Sequence, residues 1–313
     1  MKCLIFGIGG QDGSYLADIL LEQGHEVHGV YRRTSTGNLS RVEHIRNRIT
    51  LHIGDITDAA STSSVIQCLQ PDVIYNEADQ DDVRTSHNCI NYQFDVTTRG
   101  VVNILEAACQ FSPVSKVFQP LSATMFAPGE SQDIHTRILP RSPYAIAKAA
   151  AYFICKYYRE ERNALVSTGI MYNHDSPRRG QGYLLQNLVG QALRVKCKEQ
   201  AAVQVFSPDT LVDVGHAEDY MTAATKIMEQ KDLVDVIVHS ANQFSIYYLL
   251  ERLEQFIKTS LPVEVIPGQA DIMLSRDRGL RDLIDYLPDT SMERLLRGII
   301  AAQLERRSAE DLT

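Results

Sequence analysis

Tyr144 and Lys148 stand four residues apart in a stretch, residues 142–161, whose pattern predicts a helix. Residues at this spacing share one helix face, so the lysine ammonium can approach both the phenol and a bound ribose. A nearby cation lowers the pKa of a phenol and so favours phenolate as a proton acceptor. Ser122, which follows the preceding predicted strand, could hydrogen-bond the oxygen of a substrate. The spacing predicts Tyr144 as a base supported by Lys148.

The first residues of the chain predict a binding site for a pyrophosphate. Residues 3–6 are a short apolar run typical of a buried parallel strand, three glycines follow at a spacing of three, and a helical pattern covers 14–23. Glycines let the backbone approach a pyrophosphate, and the free N–H groups of a helix start bind its charge. A plain tight turn before a helix is the alternative. The expected dinucleotide contacts are Gly7, Gly10, Gln11, Asp12 and Gly13.

The end of the second predicted strand, 25–31, indicates which dinucleotide binds. It runs into Arg32, Arg33, Thr34 and Ser35. A carboxylate there would accept a hydrogen bond from the 2′-hydroxyl of the adenosine ribose, whereas arginine suits a 2′-phosphate. The residues therefore favour NADP over NAD. The remaining expected cofactor contacts are Asp55, Ile56, Gln80, Tyr144 and Lys148.

Strands and helices alternate through residue 172, which predicts an α/β fold with a doubly wound parallel sheet of the Rossmann type. Its predicted strands are 3–6, 25–31, 50–55, 71–76, 115–120 and 166–172, and its helices 14–23, 59–70, 94–111 and 142–161. After a polar loop at 173–180, the predicted helices are 183–198, 216–228, 245–259 and 291–306, with strands at 202–206 and 235–239. We expect an NADP-binding domain over 1–172 and a smaller mixed α/β substrate portion over 173–313, from which the chain can return to the first sheet. The polar tail 306–313 is expected to fray.

Composition excludes several other classes of protein. The 313 residues carry a net charge of −8, which argues against nucleic-acid binding through a broad basic surface. The six cysteines are scattered without a C-x-x-C pair, as expected for free thiols in a reducing compartment. No stretch approaches the length of a membrane helix, and the chain starts on a strand without a signal-peptide pattern. We expect a cytoplasmic protein with no membrane or nucleic-acid partner.

Several segments together resemble an extended short-chain dehydrogenase/reductase that acts on nucleotide sugars, most closely the GDP-mannose 4,6-dehydratases. The matching segments are 7–21, 27–35, 52–58, 141–148, 173–180 and 215–220. The resemblance implies a bound NADP that removes hydride from C4 of the sugar, with Tyr144 as base and Lys148 supporting it. It also implies a homodimer or homotetramer and a GDP-sugar substrate held by the loop 173–179. The implied nucleotide contacts are Asn173, Arg178 and Arg179.

The chain departs from that family where the family carries its catalytic residues. Ser122 stands in place of the catalytic threonine, and Thr124 in place of the catalytic glutamate. Removal of water across C5 and C6 needs a base and an acid, and a carboxyl can cycle between these states whereas a threonine hydroxyl cannot. Ser-Ala-Thr at 122–124 resembles UDP-galactose 4-epimerases, which need only oxidation and re-reduction at C4. C4 epimerisation is therefore the leading hypothesis; a dehydratase, a 4-keto-sugar reductase and a catalytically silent nucleotide-binding relative remain the alternatives.

An acidic loop at 77–82 is a second departure. Its carboxylates fall near the expected cofactor and substrate, where they could select a cationic group, or they could be solvated loop charges. The family's basic pair before Asp213 is replaced by Leu211 and Val212, so a nucleotide contact is expected to be lost. His174 and His216 are expected to shape the site. No metal site is expected, because no H-x-x-x-H spacing or supporting carboxylate cluster accompanies these histidines.

Overall fold

A computed structural model describes residues 1–35, 37–240, 243–268 and 272–310. The strands are β1 Lys2–Phe6, β2 Glu26–Tyr31, β3 Thr50–Ile53, β4 Val73–Asn76, β5 Lys116–Ser122, β6 Gly129–Gln132, β7 Leu165–Met171, β8 Asn173–Asp175, β9 Val203–Val205, β10 Leu211–His216, β11 Asp235–Val238, β12 Gln243–Ser245, β13 Val263–Val265 and β14 Met273–Ser275. The helices are α1 Gln11–Glu22, α2 Ala59–Leu69, α3 Val83–Ser86, α4 Ile90–Phe94, α5 Gly100–Phe111, α6 Pro143–Glu161, α7 Leu184–Lys196, α8 Ala217–Glu229, α9 Ile246–Ile257, α10 Gly279–Ile284 and α11 Met292–Glu310.

The largest sheet of the described residues has seven strands in the order β3-β2-β1-β4-β5-β7-β11, all paired in parallel. Its short apolar strands are covered on both faces, as parallel strands require. Alternate residues of β1 show this division. Leu4 and Phe6 pack in the core with α2, α5 and α6, and Cys3 and Ile5 pack in a second core with α1 and α8. The predicted doubly wound Rossmann sheet is confirmed.

The chain beyond residue 172 contributes to this sheet as well as to smaller ones. β11 pairs in parallel with β7, and α8 packs against α1. A third core lies among α7, α9 and α11, beside the small sheet β12-β10-β8 and the pair β13-β9. The division into domains at residue 172 stays a prediction, with β11 and α8 as the part of the chain that returns to the large sheet.

Three predicted segments differ from the structure. The helix expected at 94–111 starts earlier, as α4, and passes through a π-helical turn, Asp95–Arg99, before α5. The polar loop expected at 173–180 contains β8, which pairs with β10. The tail expected to fray from residue 306 is helical to Glu310, because Arg306 Nη2 donates to the Pro177 carbonyl at 2.9 Å and Arg307 pairs with Glu199; residues 311–313 lie outside the described residues.

Candidate active site

A cavity of about 530 Å³ lies at the carboxyl ends of the central strands, where open parallel sheets bind ligands. It is bounded by α1 on one side, by the start of α6 on another, and by the segment from β8 to the start of α7. Nine of the predicted site residues line it: Gly10, Gln11, Asp12, Ser122, Thr124, Tyr144, Lys148, Asn173 and Arg179. The structure therefore brings the predicted acid–base residues, part of the glycine turn and part of the 173–179 loop to one place.

The glycine turn is built for close approach of a ligand backbone. Gly7 has φ +80°, and a Cβ added there would lie 2.5 Å from the Glu77 carbonyl oxygen. A Cβ on Gly13 would lie 2.4 Å from the Gly7 carbonyl oxygen, so α1 can start this close to β1 only with glycine. Gly10 precedes α1 without a side-chain cap, which leaves the first N–H groups of the helix for an anion. This cradle fits the pyrophosphate of a dinucleotide.

Lys148 is held beside Tyr144 by the geometry of α6. Pro143 opens the helix and the Ser142 hydroxyl caps it by accepting from the Ala145 N–H at 3.1 Å. Lys148 Nζ lies 5.7 Å from the centroid of the Tyr144 ring, as the four-residue spacing predicts. The same Nζ donates to the Pro120 carbonyl at 2.9 Å and to Asp79 Oδ2 at 2.8 Å. The Lys148 and Asp79 side chains are 5% and 14% exposed, so this ion pair is nearly buried.

The Asp79 pair changes the electrostatics expected of the tyrosine. Burial raises the pKa of Tyr144; Lys148 and a hydrogen bond with Ser122 lower it, while Asp79 and Asp81 raise it. Lys148 lowers the pKa of Tyr144 as expected, but burial outweighs this effect and the net pKa is raised. Burial alone would lower the pKa of Lys148, but the Asp79 carboxylate outweighs burial and raises it. Tyr144 is therefore a neutral phenol beside a charged lysine.

Ser122 and Thr124 face each other at the end of β5. Their hydroxyl oxygens are 2.9 Å apart, and the Thr124 N–H donates to Ser122 Oγ at 3.3 Å. Both side chains line the cavity, as expected from their alignment with the catalytic residues of the family. Neither can cycle as a carboxyl does, so carboxyl groups in this cavity come from other elements.

The acidic loop after β4 pairs with cations of the protein. Asp81 lies 2.7 Å from Arg179 Nη2 and accepts from the Tyr183 hydroxyl at 2.7 Å. Asp82 caps α3 by accepting from the backbone N–H groups of Arg84 and Thr85. Asp79 likewise pairs with Lys148. Asp79 and Asp81 are therefore paired with cations of the protein and are not simply solvated loop charges.

Asp12 and His174 form a third pair at the cavity wall. His174 Nε2 lies 3.0 Å from Asp12 Oδ2, while Nδ1 donates to the Tyr172 carbonyl at 2.9 Å. Burial raises the pKa of Asp12, but the charges of His174 and Arg179 outweigh burial, and the net pKa falls. Burial lowers the pKa of His174, and Asp12 reverses this, so the net pKa rises. His174 joins β8 to α1, a structural role of the kind expected for it.

The other predicted contacts lie outside the cavity lining. Gly7 and Gly13 are inside the turn beneath it. Arg178 packs over the Tyr15 ring and pairs with Asp18 at 2.6 Å. The remaining positions follow β2, β3 and β4. After β2, Arg32, Arg33 and Thr34 are exposed. After β3, Asp55 accepts from the Thr57 N–H and Ile56 is buried, and after β4, Gln80 donates to the Asp82 carbonyl.

Two lining residues were not singled out from the sequence. Glu77, directly after β4, has its pKa raised to about 8 by burial and by the carboxylates of Asp12 and Asp79, against a lowering effect of Lys148. Arg41 donates to the Gly9 carbonyl at 3.0 Å and to the Arg178 carbonyl at 2.6 Å. Arg41 belongs to a 3-10 helical segment, Ser40–Arg48, for which the sequence offered no motif; Glu77 was visible only as one charge of the acidic loop.

The sequence model of the GDP-mannose 4,6-dehydratase family matches residues 4–273. The chain belongs to this family. The GDP-mannose 4,6-dehydratase of Vibrio cholerae serotype O1 is 35% identical over 356 residues, covering 99% of this chain and 95% of the relative. The GDP-mannose 4,6 dehydratase of Homo sapiens is 34% identical over 263 residues, covering 80% of this chain and 70% of the relative. The resemblance inferred from the motifs is confirmed, and the chain is an enzyme of the extended short-chain dehydrogenase/reductase type.

Solved structures share the fold of this family member. The UDP-glucuronic acid 4-epimerase from Bacillus cereus, in complex with UDP-glucuronic acid and NAD, has a TM-score of 0.88 at 19% identity and covers 98% of this chain and 100% of its own. The dTDP-glucose 4,6-dehydratase from Bacillus anthracis, in complex with NAD, has a TM-score of 0.85 at 19% identity, covering 98% of both chains. At this identity the likeness shows the fold. In the part of the chain that the structure describes, no helix is both long and apolar enough to cross a membrane.

Proposed function

We propose that this family member oxidises C4 of a nucleotide-diphosphate sugar, with a GDP-sugar as substrate and 4,6-dehydration as the net reaction. The observation that carries the proposal is the meeting of Ser122, Tyr144 and Lys148 in one cavity beside the glycine turn, in a member of the GDP-mannose 4,6-dehydratase family. Family membership favours dehydration over the C4 epimerisation expected from residues 122–124. The net reaction is tested by analysis of the products formed in deuterated buffer.

In the first step, the cavity residues act on the C4 hydroxyl. Tyr144 takes the proton of this hydroxyl as a phenolate, its own proton having first passed to solvent, and Ser122 donates a hydrogen bond to the same oxygen. Lys148 stabilises the phenolate, for which its Nζ must share its charge between Asp79 and Tyr144. A dinucleotide held by the turn at Gly7, Gly10 and Gly13 would supply the reversible acceptance of hydride. Asn173 and Arg179 line the cavity where the sugar nucleotide would lie.

Dehydration then needs a base for the C5 proton and an acid for the departing C6 hydroxyl, with loss of one water. Position 124 supplies no carboxyl. Within the described cavity lining, Asp79 and Asp81 are engaged by Lys148 and Arg179, whereas Glu77 has a raised pKa of about 8 and is a protonated carboxyl at neutral pH. A protonated carboxyl can donate to a leaving hydroxyl. Glu77 is therefore the proposed acid for the departing hydroxyl, and the C5 proton would pass to the carboxylate of Asp79 or Asp81 once that carboxylate is released from its cation.

C4 epimerisation is the second candidate, and the Thr124 hydroxyl favours it. Thr124 Oγ1 is hydrogen-bonded to Ser122 Oγ, and neither hydroxyl can serve as the C5 base. An epimerase needs only C4 oxidation and re-reduction, for which Ser122, Tyr144 and Lys148 suffice.

One experiment separates these reactions. Purified protein is incubated in deuterated buffer with a panel of GDP-, UDP- and dTDP-hexoses and either dinucleotide, and the products are analysed by mass spectrometry and NMR. A product lighter by one water, with deuterium at C5, is expected. Unchanged substrate mass, retained C5 hydrogen and inverted C4 would establish epimerisation, and a gain of two hydrogens from a 4-keto sugar would establish a reductase. No turnover of any substrate would contradict an enzymatic role.

We further propose NADP as the cofactor, because exposed Arg32, Arg33 and Thr34 follow β2. The Arg33→Ala variant is expected to lose about tenfold more affinity for NADP than for NAD, as measured by fluorescence titration, because a charge-assisted contact to the 2′-phosphate is removed. Arg281→Ala, which removes an exposed arginine of α10, is the matched control. Equal losses for both dinucleotides would contradict the NADP assignment.

The proposal includes a cytoplasmic homodimer or homotetramer. Ile146, Phe153 and Tyr157 are exposed on α6 at spacings of seven and four residues, a stripe suited to a second copy of the chain. Sedimentation velocity should give a multiple of the 35.1 kDa chain mass.

A further inference from the structure

Each of three cations at the cavity has a carboxylate of its own. His174 pairs with Asp12 at 3.0 Å, Lys148 with Asp79 at 2.8 Å and Arg179 with Asp81 at 2.7 Å. Two of the three carboxylates belong to the acidic loop after β4. A cleft that binds nucleotide diphosphates gains affinity from positive charge directed at the phosphates. Here the charge of these three cations is already paired inside the protein, while Arg41, which also lines the cavity, donates to two backbone carbonyls.

The pair between Asp81 and Arg179 is fixed from several sides. The Arg179 guanidinium lies 3.6 Å from the centroid of the Tyr183 ring, and the Tyr183 hydroxyl donates to Asp81 Oδ1 while Arg179 Nη2 contacts Oδ2. The Arg179 side chain is 13% exposed and that of Asp81 43%, so the arginine is the buried partner. A neighbouring contact, from Arg84 Nη2 to the Gly182 carbonyl at 2.8 Å, also joins the two segments. A phosphate that contacts Arg179 therefore competes with Asp81 for the charge of the guanidinium, whose Nε is buried and has no hydrogen-bond partner.

We propose that Asp81 sets the affinity of the cavity for nucleotide diphosphates: it is an internal counter-ion of Arg179 that competes with a substrate phosphate and so lowers this affinity. This inference rests on the proposed function, because that function makes a nucleotide diphosphate the ligand. It goes further than that function because it assigns Asp81 a role in the affinity of the protein for the ligand. The opposite role, in which Asp81 itself accepts a hydrogen bond from the bound nucleotide, would give the opposite response to substitution.

Direct binding of GDP tests this role without turnover. Isothermal titration of the wild-type protein and of the nearly isosteric Asp81→Asn variant is expected to show about tenfold tighter binding by the variant, since Arg179 becomes free for a charge-assisted contact. The affinity of the variant should also fall more steeply with added salt, because one more charge pair between protein and ligand is then subject to screening. Equal or weaker binding by Asp81→Asn, including no binding by either protein, would overturn the inference.

Three further variants separate a counter-ion from a merely structural residue. Asp82→Asn removes the same charge from the same loop while keeping a side chain that caps α3, and it is expected to leave the GDP dissociation constant within about twofold. Asp81→Glu keeps the charge and should retain the wild-type affinity. In an Arg179→Gln background, Asp81→Asn should no longer tighten binding, because the two effects are coupled through one pair. A gain that persists without Arg179, or an equal gain from Asp82→Asn, would overturn the inference.

The proposed function has its own, separate failure. GDP binding that responds to Asp81→Asn as expected, with no conversion of any hexose nucleotide, would retain the counter-ion and reject the reaction. Conversion of a GDP-hexose with no response to Asp81→Asn would retain the reaction and reject the counter-ion.

Discussion

Tyr144 is buried beside Asp79 and Asp81, and its pKa is raised although Lys148 lies four residues away. Burial is the largest cause, and the carboxylates of Asp79 and Asp81 add to it against the lowering effect of Lys148. Asp79 Oδ2 holds Lys148 Nζ at 2.8 Å, while the Gln80 N–H (2.8 Å) and the Thr97 hydroxyl hold Asp79 Oδ1. Much of the positive charge that would favour phenolate is therefore directed at a carboxylate.

Replacement of Tyr144 by phenylalanine tests the assigned base. Tyr144→Phe deletes the ionisable hydroxyl and preserves the ring in its buried position, so turnover should fall by roughly a hundred- to ten-thousand-fold while the dissociation constant of the dinucleotide is unchanged. Single-turnover kinetics and fluorescence titration measure the two quantities. A loss below threefold would assign the proton transfer to another residue.

Glu77 makes a prediction about stability at high pH. Its pKa is about 8 in the folded protein, above the ordinary 4.5, because it is buried and faces the carboxylates of Asp12 on α1 and Asp79 on its own loop, with Lys148 on α6 opposing them. A raised folded-state pKa contributes stability that is present below pH 4.5 and lost as the pH rises through 8. The glutamine of Glu77→Gln cannot ionise. The free energy of unfolding of this variant, relative to that of the wild-type protein, should therefore increase by about 4 kcal/mol between pH 5 and pH 9.

Urea unfolding at pH 5, 7 and 9 measures this gain. The exposed carboxyl of Glu43 provides the matched control, Glu43→Gln, for which the difference from wild type should be nearly independent of pH. A Glu77→Gln variant whose stability tracked the wild-type curve would show that this carboxyl is not held neutral.

At the scale of elements, helix starts carry much of the site. α1 starts on Gly10 without a side-chain cap, next to the cavity, and α6 starts on Ser142 and Pro143 so that Tyr144 points into the cavity. α8 starts beneath β10, where His216 Nδ1 accepts from the Glu218 N–H at 3.1 Å. These starts bring the first N–H groups of α1 and the Tyr144 phenol to the cavity, and they place a titratable cap at the start of α8.

The His216 cap predicts a loss of stability in acid. Burial lowers its pKa from 6.5 to about 4, helped by Arg294 and Arg178 and opposed by Asp219. Because the folded-state pKa is depressed, the unfolded chain takes up a proton first, and stability falls as the pH drops from about 6.5 towards 4. His216→Asn keeps a capping oxygen that gains no proton at these pH values. The decrease in the free energy of unfolding between pH 7 and pH 5 should therefore be smaller in this variant than in the wild-type protein by about 2 kcal/mol.

Urea unfolding at the two pH values measures the effect. His135→Asn, a substitution of an exposed histidine, is the control and should leave the loss unchanged. An identical acid loss in wild type and His216→Asn would exclude His216 as its source.

At the scale of the whole molecule, an ion pair between largely buried side chains ties the returning strand β11 to α6 and the large sheet. Arg159 on α6 contacts both carboxylate oxygens of Asp235 on β11, at 2.9 and 2.5 Å, and donates to the Val166 carbonyl of β7. The Thr168 hydroxyl also donates to Asp235 at 2.7 Å. The side chains of the pair are 15% and 16% exposed.

Arg159→Met should leave Asp235 buried without its cation and lower the free energy of unfolding by about 3 kcal/mol. The exposed pair of Lys156 and Glu160 on the same helix supplies the control, since Lys156→Met should change it by less than about 1 kcal/mol. Chemical denaturation of both variants measures the difference. Equal effects would mean that the return of β11 does not depend on this pair.

Local sequence patterns predicted the large sheet because most of its strands are short apolar runs buried on both faces; the edge strand β3, with Ile53 63% exposed, is the exception. The strand expected at 25–31 is β2, and the helix expected at 142–161 is α6. β8 was not recognised because Asn173, His174 and Asp175 are polar, and their strand exists only through pairing with β10 and the contact of His174 with Asp12. The π-helical turn before α5 was also missed, since the apolar period continues across it.

The sequence by itself determined the parallel sheet, the glycine turn and the shared face of Tyr144 and Lys148, because these depend on strand burial, backbone freedom and helix period within a few residues. The tertiary structure alone decided which carboxylate each cation meets. Asp79 and Lys148, like Asp81 and Arg179, are far apart in the chain and are brought together because the end of β4, the start of α6 and the segment after β8 meet at the cavity. Charge interactions depend on distance and burial, which a linear pattern does not contain.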